Sequence, residues 1–193
     1  MKKLLVFVLA LSCALTVCAQ SGTGNTQSGG KGADKVLVVY FSCTGTTKTI
    51  AGYIAGKTGG TLYGIVPETP YTSADLNYNN SGSRANREQN NPSARPAIKG
   101  RVENMARYDV IFIGYPIWWG KAPKIIFTFL ESYNLSGKTI VPFCTSGSSG
   151  KGSSDTDLHS LIPAAHWKDG RRFSAGARND VNAWIDTLNI TTG

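Results

Sequence analysis

The stretch Lys35-Val36-Leu37-Val38-Val39-Tyr40-Phe41 decides the fold class of this 193-residue chain. Its apolar residues follow one another without alternation, which is typical of a strand buried on both faces of a parallel sheet. Further strands are predicted at 61–66, 109–114 and 139–144, and a weaker fifth strand is predicted within 166–173.

Helical patterns separate these strands, at 46–56, 123–133, 155–161 and 178–188. Strands that alternate with helices predict an α/β protein with a doubly wound, five-stranded parallel sheet. In such a sheet, ligands bind beyond the carboxyl ends of the strands, near the switch in strand order. A ligand site is therefore expected in the loops that follow Phe41, Gly114 and Cys144.

The loop after the first strand reads Ser42-Cys43-Thr44-Gly45-Thr46-Thr47. Its hydroxyls cluster at the expected start of a helix, where unpaired N–H groups and the helix dipole favour an anion. Gly45 lets the backbone approach a phosphate without an intervening Cβ. Hydroxyls also cap helices that bind no ligand, but one cap uses one hydroxyl and this loop has four. The loop therefore predicts a phosphate site.

This loop resembles the Ser/Thr-x-Thr-Gly-x-Thr phosphate loop of flavodoxins, and it stands in the same place after the first strand. The resemblance extends from Lys35 to Leu188 and includes a Tyr-Pro-Ile-Trp-Trp-Gly pattern. It implies a flavodoxin-like fold for 34–193 with strand order 2-1-3-4-5, and noncovalently bound FMN as the cofactor. No catalytic side chain is predicted, because the redox chemistry would belong to the flavin.

The loop after the third strand contains Pro116-Ile117-Trp118-Trp119-Gly120. Two adjacent tryptophans do not readily bury against the same surface, so at least one is expected to face outward. The resemblance implies that Trp118 stacks on the flavin ring. It also implies that the Trp119–Gly120 peptide flips to hydrogen-bond the flavin when the ring is reduced.

The loop after the fourth strand contains Thr145-Ser146-Gly147 and Gly150. The resemblance implies that it lies against the pyrimidine edge and the other face of the flavin. It carries no aromatic residue, so either that face is open to a substrate or Tyr71 or Tyr78 covers it. Both tyrosines belong to a polar segment, 67–96, which is too long for a passive connector and is expected to be a functional loop or partly disordered.

Charge and cysteine usage exclude several classes of site. The formal net charge is +8, but the basic residues are scattered, so no nucleic-acid partner is predicted. The cysteines and histidines lack ligand spacing, so no metal site is predicted. Cys43 has no activating partner nearby in sequence and is interpreted as inert. A disulfide to Cys144 is not expected, because two strand spacings, roughly 9.6 Å, would separate them.

The N-terminus predicts export. Lys2 and Lys3 precede an apolar run, and Val17-Cys18-Ala19 fits a cleavage site, so 1–19 is predicted to be a signal peptide. A lipoprotein signal that ends before Cys18 is the open alternative, with Cys18 as a membrane tether. Residues 20–33 have the composition of a flexible Ser/Gly tether. The protein is therefore expected to be periplasmic or lipid-anchored to the envelope.

Three functional classes are compatible with this interpretation. The first is an electron carrier that serves a redox partner protein, and the second is an NAD(P)H-dependent reductase of a small acceptor such as a quinone. The third is an FMN-binding protein without turnover. Lys121 and Lys124 follow the stacking loop, and their charges predict a less negative reduction potential than that of acidic flavodoxins.

Overall fold

The computed structural model describes residues 35–190. The predicted signal peptide and tether lie outside these residues. The elements in chain order are β1 Val36–Tyr40, α1 Thr46–Thr58, β2 Thr61–Gly64, β3 Val66–Pro67, α2 Arg84–Asn90, β4 Ile98–Lys99, β5 Val110–Pro116, α3 Lys124–Glu131, β6 Thr139–Thr145, α4 Ser154–Leu161, β7 His166–Trp167, β8 Arg171–Phe173 and α5 Arg178–Thr187. A short 3₁₀ turn, Met105–Arg107, precedes β5.

The main sheet runs in the order β2-β1-β5-β6-β7, and β8 also pairs with β6. Every pairing in it is parallel. The predicted doubly wound sheet of order 2-1-3-4-5 is confirmed, with β7 and β8 sharing the fifth position. Alternate residues of β1 enter two separate cores, since Leu37 and Val39 pack on one face while Val36 and Val38 pack on the other. That division explains the continuous apolar run.

The fifth strand was predicted as one element and is two. Residues of β6 pair with β7 as far as Ile140 and with β8 from Phe143 onward. Pro142 lies between these two pairings. It has no N–H to donate to a neighbouring strand, and a Cβ on Gly170 would come within 3.1 Å of its ring. The ladder therefore breaks at Pro142.

The central strands approach each other at a glycine. Gly114 of β5 pairs with Phe143 of β6. A Cβ at Gly114 would lie 2.1 Å from the ring of Phe143. Because Gly114 has no side chain, the Phe143 ring can occupy this space. Packing, rather than backbone conformation, therefore requires a glycine at this position.

The polar segment 67–96 is an ordered part of the domain, not a partly disordered one. It contains α2, whose N-cap Ser83 accepts a hydrogen bond from the Asn86 N–H. The segment is bracketed by a small antiparallel sheet in which Val66 pairs with Lys99 and Pro67 pairs with Ile98. The helix α2 was not predicted from the sequence, although Ser83 and the i,i+4 pair Arg84–Glu88 indicate it.

No helix within residues 35–190 is long and apolar enough to cross a membrane.

Candidate functional site

A cleft of about 510 Å³ opens at the loops that follow the carboxyl ends of β1, β5, β6 and β8. This is the edge of the sheet at which the strand order predicts a ligand, and the volume lies within the usual range for ligand pockets. The residues that line it are Thr44, Thr46, Pro116, Ile117, Trp118, Thr145, Ser146, Gly147, Ser174 and Ala175.

The cleft unites residues of all three predicted loops and adds a fourth. Ser174 and Ala175, from the loop after β8, were not predicted, because the weak pattern at 166–173 did not mark the end of a strand. The other residues predicted for the site lie in the same loops but do not line the cleft. They are Ser42, Cys43, Gly45, Thr47, Trp119, Gly120 and Gly150.

The start of α1 is open to an anion. Gly45 precedes the helix with a φ of 93°, and no side chain caps the helix. Nothing lies within 4 Å of the position that a Cβ on Gly45 would occupy. The Ser42 hydroxyl accepts a hydrogen bond from the Gly45 N–H at 3.1 Å and so shapes the loop. An uncapped first turn beside the Thr44 and Thr46 side chains fits a phosphate group.

Thr47 has a different environment from the other loop threonines. It is buried, and its hydroxyl lies 2.8 Å from the buried hydroxyl of Thr145 at the end of β6. This bond ties the phosphate loop to the third loop. Thr145 is 98 residues away in sequence, so the pattern of the loop alone could not reveal the pairing.

Trp118 is half-buried and forms one wall of the cleft. Its ring packs edge-on against Phe41, at a centroid distance of 5.7 Å, and against Tyr71, at 5.5 Å. Tyr71 is fixed in turn, because its hydroxyl donates to Glu88 and the Arg84 guanidinium lies 4.0 Å from its ring centroid. Burial, reinforced by the Glu88 carboxylate, raises the pKa of the Tyr71 hydroxyl. These contacts hold the Trp118 ring in its place at the cleft.

A tight turn carries the two tryptophans. Trp118 and Lys121 exchange backbone hydrogen bonds of 3.0 Å in both directions. Trp119 and Gly120 lie between them with φ values of 48° and 74°. Positive φ at both central residues is the signature of a type I′ turn, which is unfavourable for a bulky residue such as Trp119. Trp119 is 45% exposed, so it is the tryptophan that faces outward.

Gln89 of α2 forms hydrogen bonds to this turn from the interior of the domain. It is buried, and its Nε2 donates to the carbonyl of Trp118 at 3.1 Å and to that of Ala122 at 3.3 Å. Gln89 was not among the residues predicted for the site. Its spacing of four from Ala85 would have placed both on one helix face, but only the fold shows what that face contacts.

The third loop is fixed from β8 and touches the tight turn. Arg172 donates to the carbonyl of Ser146 at 3.0 Å and to that of Gly147 at 3.2 Å. Gly152 has a φ of 56°, and a Cβ there would lie 2.2 Å from the Gly120 carbonyl oxygen. Neither Arg172 nor Gly152 was predicted, because both act through tertiary contacts.

Among the residues that the structure describes, no aromatic ring lines the cleft opposite Trp118. Tyr71 lies behind the wall, against Trp118 and Phe41, and Tyr78 is 72% exposed and lines a separate cavity. Of the two alternatives for the outer face, the structure favours the open one.

The cysteines of the domain are free thiols, as expected. Cys43 is an exposed residue, yet the protein around its thiol removes enough water to raise its pKa to about 11, an effect that Arg84 offsets only in part. Burial likewise raises the pKa of Cys144 to about 12. A thiol with a raised pKa is a poor nucleophile at neutral pH, which agrees with the interpretation of Cys43 as inert.

The two lysines after the stacking loop differ in environment. Lys121 is exposed at the end of the tight turn. Lys124 is buried, and its ammonium lies 4.6 Å from the ring centroid of Phe127. Desolvation, followed by repulsion from Lys121 and Arg95, lowers the pKa of Lys124. Neither lysine lines the cleft, so the predicted effect of their charges on the reduction potential of a bound flavin would act from outside it.

The geometry is that of a doubly wound α/β protein whose cleft, beyond the carboxyl ends of the strands, joins an uncapped helix start to an aromatic wall. A family model described as Flavodoxin matches residues 35–188. This match spans most of the chain, and the protein belongs to the flavodoxin family. A comparison with curated protein sequences finds no match.

Solved structures agree with this assignment. The chain is 50% identical to a protein from Bacteroides eggerthii assigned as a flavoprotein, with a TM-score of 0.78 over 81% of this chain and 99% of that one. A similarly assigned protein from Bacteroides uniformis is 42% identical, with a TM-score of 0.77 over 80% and 99%. A flavoprotein from Lactobacillus acidophilus, solved in complex with FMN, is 23% identical with a TM-score of 0.60 over 78% and 99%. At that identity the likeness concerns the fold.

Proposed function

We propose that this protein transfers electrons through noncovalently bound FMN. FMN is the cofactor, which family membership supports, and a solved flavoprotein of the same fold contains it. The observation that carries the proposal is a single cleft that joins the open start of α1 to the aromatic wall formed by Trp118. A phosphate group suits the first feature and a flat ring suits the second.

Each part of the cleft has a proposed role in binding. The first-turn N–H groups of α1, with the hydroxyls of Thr44 and Thr46, hold the phosphate. Trp118 packs against the ring system and shields it from water. The third loop, oriented by Arg172, lies along the polar edge of the ring and offers backbone N–H groups. The bound flavin supplies the electron chemistry, while the protein supplies position and electrostatics.

A second candidate function is an NAD(P)H-dependent reductase of a small acceptor such as a quinone. The open face opposite Trp118 favours it, because a hydride donor must approach one face of the ring. A carrier that serves a redox partner protein needs only an exposed edge. If the protein is a reductase, it should oxidise a nicotinamide donor catalytically. If it is a carrier, it should not.

The FMN-loaded chain should be assayed for NADH and NADPH oxidation, with and without a soluble quinone, while the flavin absorbance is recorded. Free FMN at the same concentration is the control. Donor oxidation above that control supports the reductase. Reversible reduction of the bound flavin by dithionite, without donor oxidation, supports the carrier. Bound flavin that cannot be reversibly reduced would contradict both candidates.

We also propose that the protein is exported and is periplasmic or held to the envelope through Cys18. The support is the sequence pattern of 1–19 and the tether composition of 20–33. Mass spectrometry of the mature protein tests this proposal. An N-terminus at Gln20 supports cleavage after Ala19, an acylated Cys18 supports lipidation, and an intact N-terminal segment in the cell would contradict export.

A further inference from the structure

A second cavity, of about 230 Å³, lies beside the flavin cleft. Its lining residues are Leu76, Tyr78, Ala85, Ile117, Trp118 and Trp119. Ile117 and Trp118 also line the main cleft. The two cavities therefore share a wall formed by these two residues, and a molecule in the second cavity would lie next to a ligand in the first.

The chemistry of this lining selects a neutral, flat molecule. None of the six lining residues carries a charge or an amide side chain. A phosphate or carboxylate would therefore lose part of its hydration without gaining a charged partner. Three of the six are aromatic, and aromatic side chains pack well against flat rings. The volume is below the usual range for drug-sized ligands, which suits one ring or two fused rings.

Two of the aromatic lining residues have side chains that are exposed to water. Tyr78 is 72% exposed and Trp119 is 45% exposed. Trp119 also adopts a φ of 48°, which a bulky side chain rarely takes. Neither ring belongs to the two core clusters of the domain. An exposed ring held on a tight turn, as for Trp119, with a second exposed ring beside the same cavity, is typical of a binding surface rather than of a packing requirement.

We propose that this second cavity binds a neutral quinone-class ring as the electron acceptor, an inference that rests on the second candidate of the proposed function, the reductase. Two electrons and two protons leave the reduced flavin in the complete reaction. The electrons cross the shared wall, the protons exchange through solvent, and the two quinone carbonyls become hydroxyls. FMN returns to its oxidised form, and NAD(P)H is the donor that reduces it again.

Isothermal titration of the FMN-loaded chain with 1,4-naphthoquinone tests the site without relying on turnover. We expect one molecule to bind per chain. Tyr78→Ala should weaken binding by about five- to tenfold, because a stacking partner is lost, whereas Tyr78→Phe keeps the ring and should retain the affinity. Ala85→Met fills the cavity and should abolish binding. Leu62→Ala removes an exposed apolar side chain of β2 and is the matched control, with unchanged affinity.

A charged analogue tests the chemical class. Because the lining offers no charged partner, 2-naphthoate should bind at least about tenfold more weakly than 1,4-naphthoquinone. Equal affinity for the two compounds would overturn the assignment of a neutral ligand.

Other outcomes separate this inference from the proposed function. A chain that retains FMN but binds no naphthoquinone would overturn only the inference, as would binding that Tyr78→Ala and Ala85→Met leave unchanged. Binding restricted to FMN-free protein would mean that the ligand occupies the flavin cleft, and this result would also overturn the inference. A chain that retains no FMN contradicts the proposed function and, with it, the acceptor role.

Discussion

Gly152 offers the sharpest test of how the third loop supports the flavin site. Its φ is 56°, and a Cβ at this position would lie 2.2 Å from the carbonyl oxygen of Gly120. Gly120 belongs to the tight turn that carries Trp118. The change Gly152→Ala therefore adds one methyl group at the point where the third loop meets that turn.

The expected loss of stability has two parts that a control separates. An alanine in the left-handed region costs about 1–2 kcal/mol, and overlap with packed neighbours adds typically 1–3 kcal/mol. Gly152→Ala should therefore lower the free energy of unfolding by roughly 2–5 kcal/mol. Gly137 has a φ of 72° with nothing within 4 Å of its Cβ position. Gly137→Ala should incur the first part alone.

Urea unfolding measures the stability, and quenching of flavin fluorescence measures the affinity for FMN. Gly137 lies before β6, at the opposite edge of the sheet from the cleft, so Gly137→Ala should leave the FMN affinity unchanged. Gly152→Ala displaces the turn and should weaken FMN binding by at least about tenfold, or about 1.4 kcal/mol. If the two variants lose equal stability and both bind FMN normally, the proposed contact between loop and turn does not support the site.

Three further changes test other parts of the molecule. Thr145→Val leaves the buried Thr47 hydroxyl without its partner and should cost about 1–2 kcal/mol in urea unfolding. A Thr47→Val/Thr145→Val double variant should recover part of that lost stability. An equal loss of stability in the single and double variants would argue against the hydrogen bond between the two hydroxyls. In a Cys144→Ser background, alkylation of Cys43 should be slow at neutral pH and rise steadily toward its raised pKa of about 11, because burial disfavours the thiolate, whereas a plateau at pH 8–9 would contradict this. Lys121→Gln removes a positive charge that favours the reduced flavin. The reduction potential of the bound flavin should therefore shift negatively, and a positive shift in a redox titration would refute the sign.

The layered fold was predictable because its signal is local. The continuous apolar run of β1 follows directly from burial on both faces of the sheet. Loops at the carboxyl ends of parallel strands necessarily converge, so the contributions of Thr44, Trp118 and Ser146 to one cleft could be expected. The pattern was weaker at the sheet edge, where Pro142 divides the fifth strand into β7 and β8.

The supporting contacts were not predictable from a single sequence. Gln89 gains its role only when α2 packs beneath the tight turn, and Arg172 only when β8 brings it to the third loop. The hydroxyl of Thr47 was expected to face a phosphate, and the structure pairs it with Thr145 instead. Each case depends on residues far apart in sequence, for which local patterns carry no information.

The central claim is that the start of α1 holds the phosphate of FMN, and a comparison of FMN with riboflavin tests it most directly. The two ligands share the ring and the ribityl chain and differ only in the phosphate. Titration of the purified domain by flavin fluorescence should give one FMN per chain. FMN should bind at least about 100-fold more tightly than riboflavin, because charge-assisted hydrogen bonds to the phosphate are lost. Equal affinities, or no FMN retained under any refolding condition, would contradict the account.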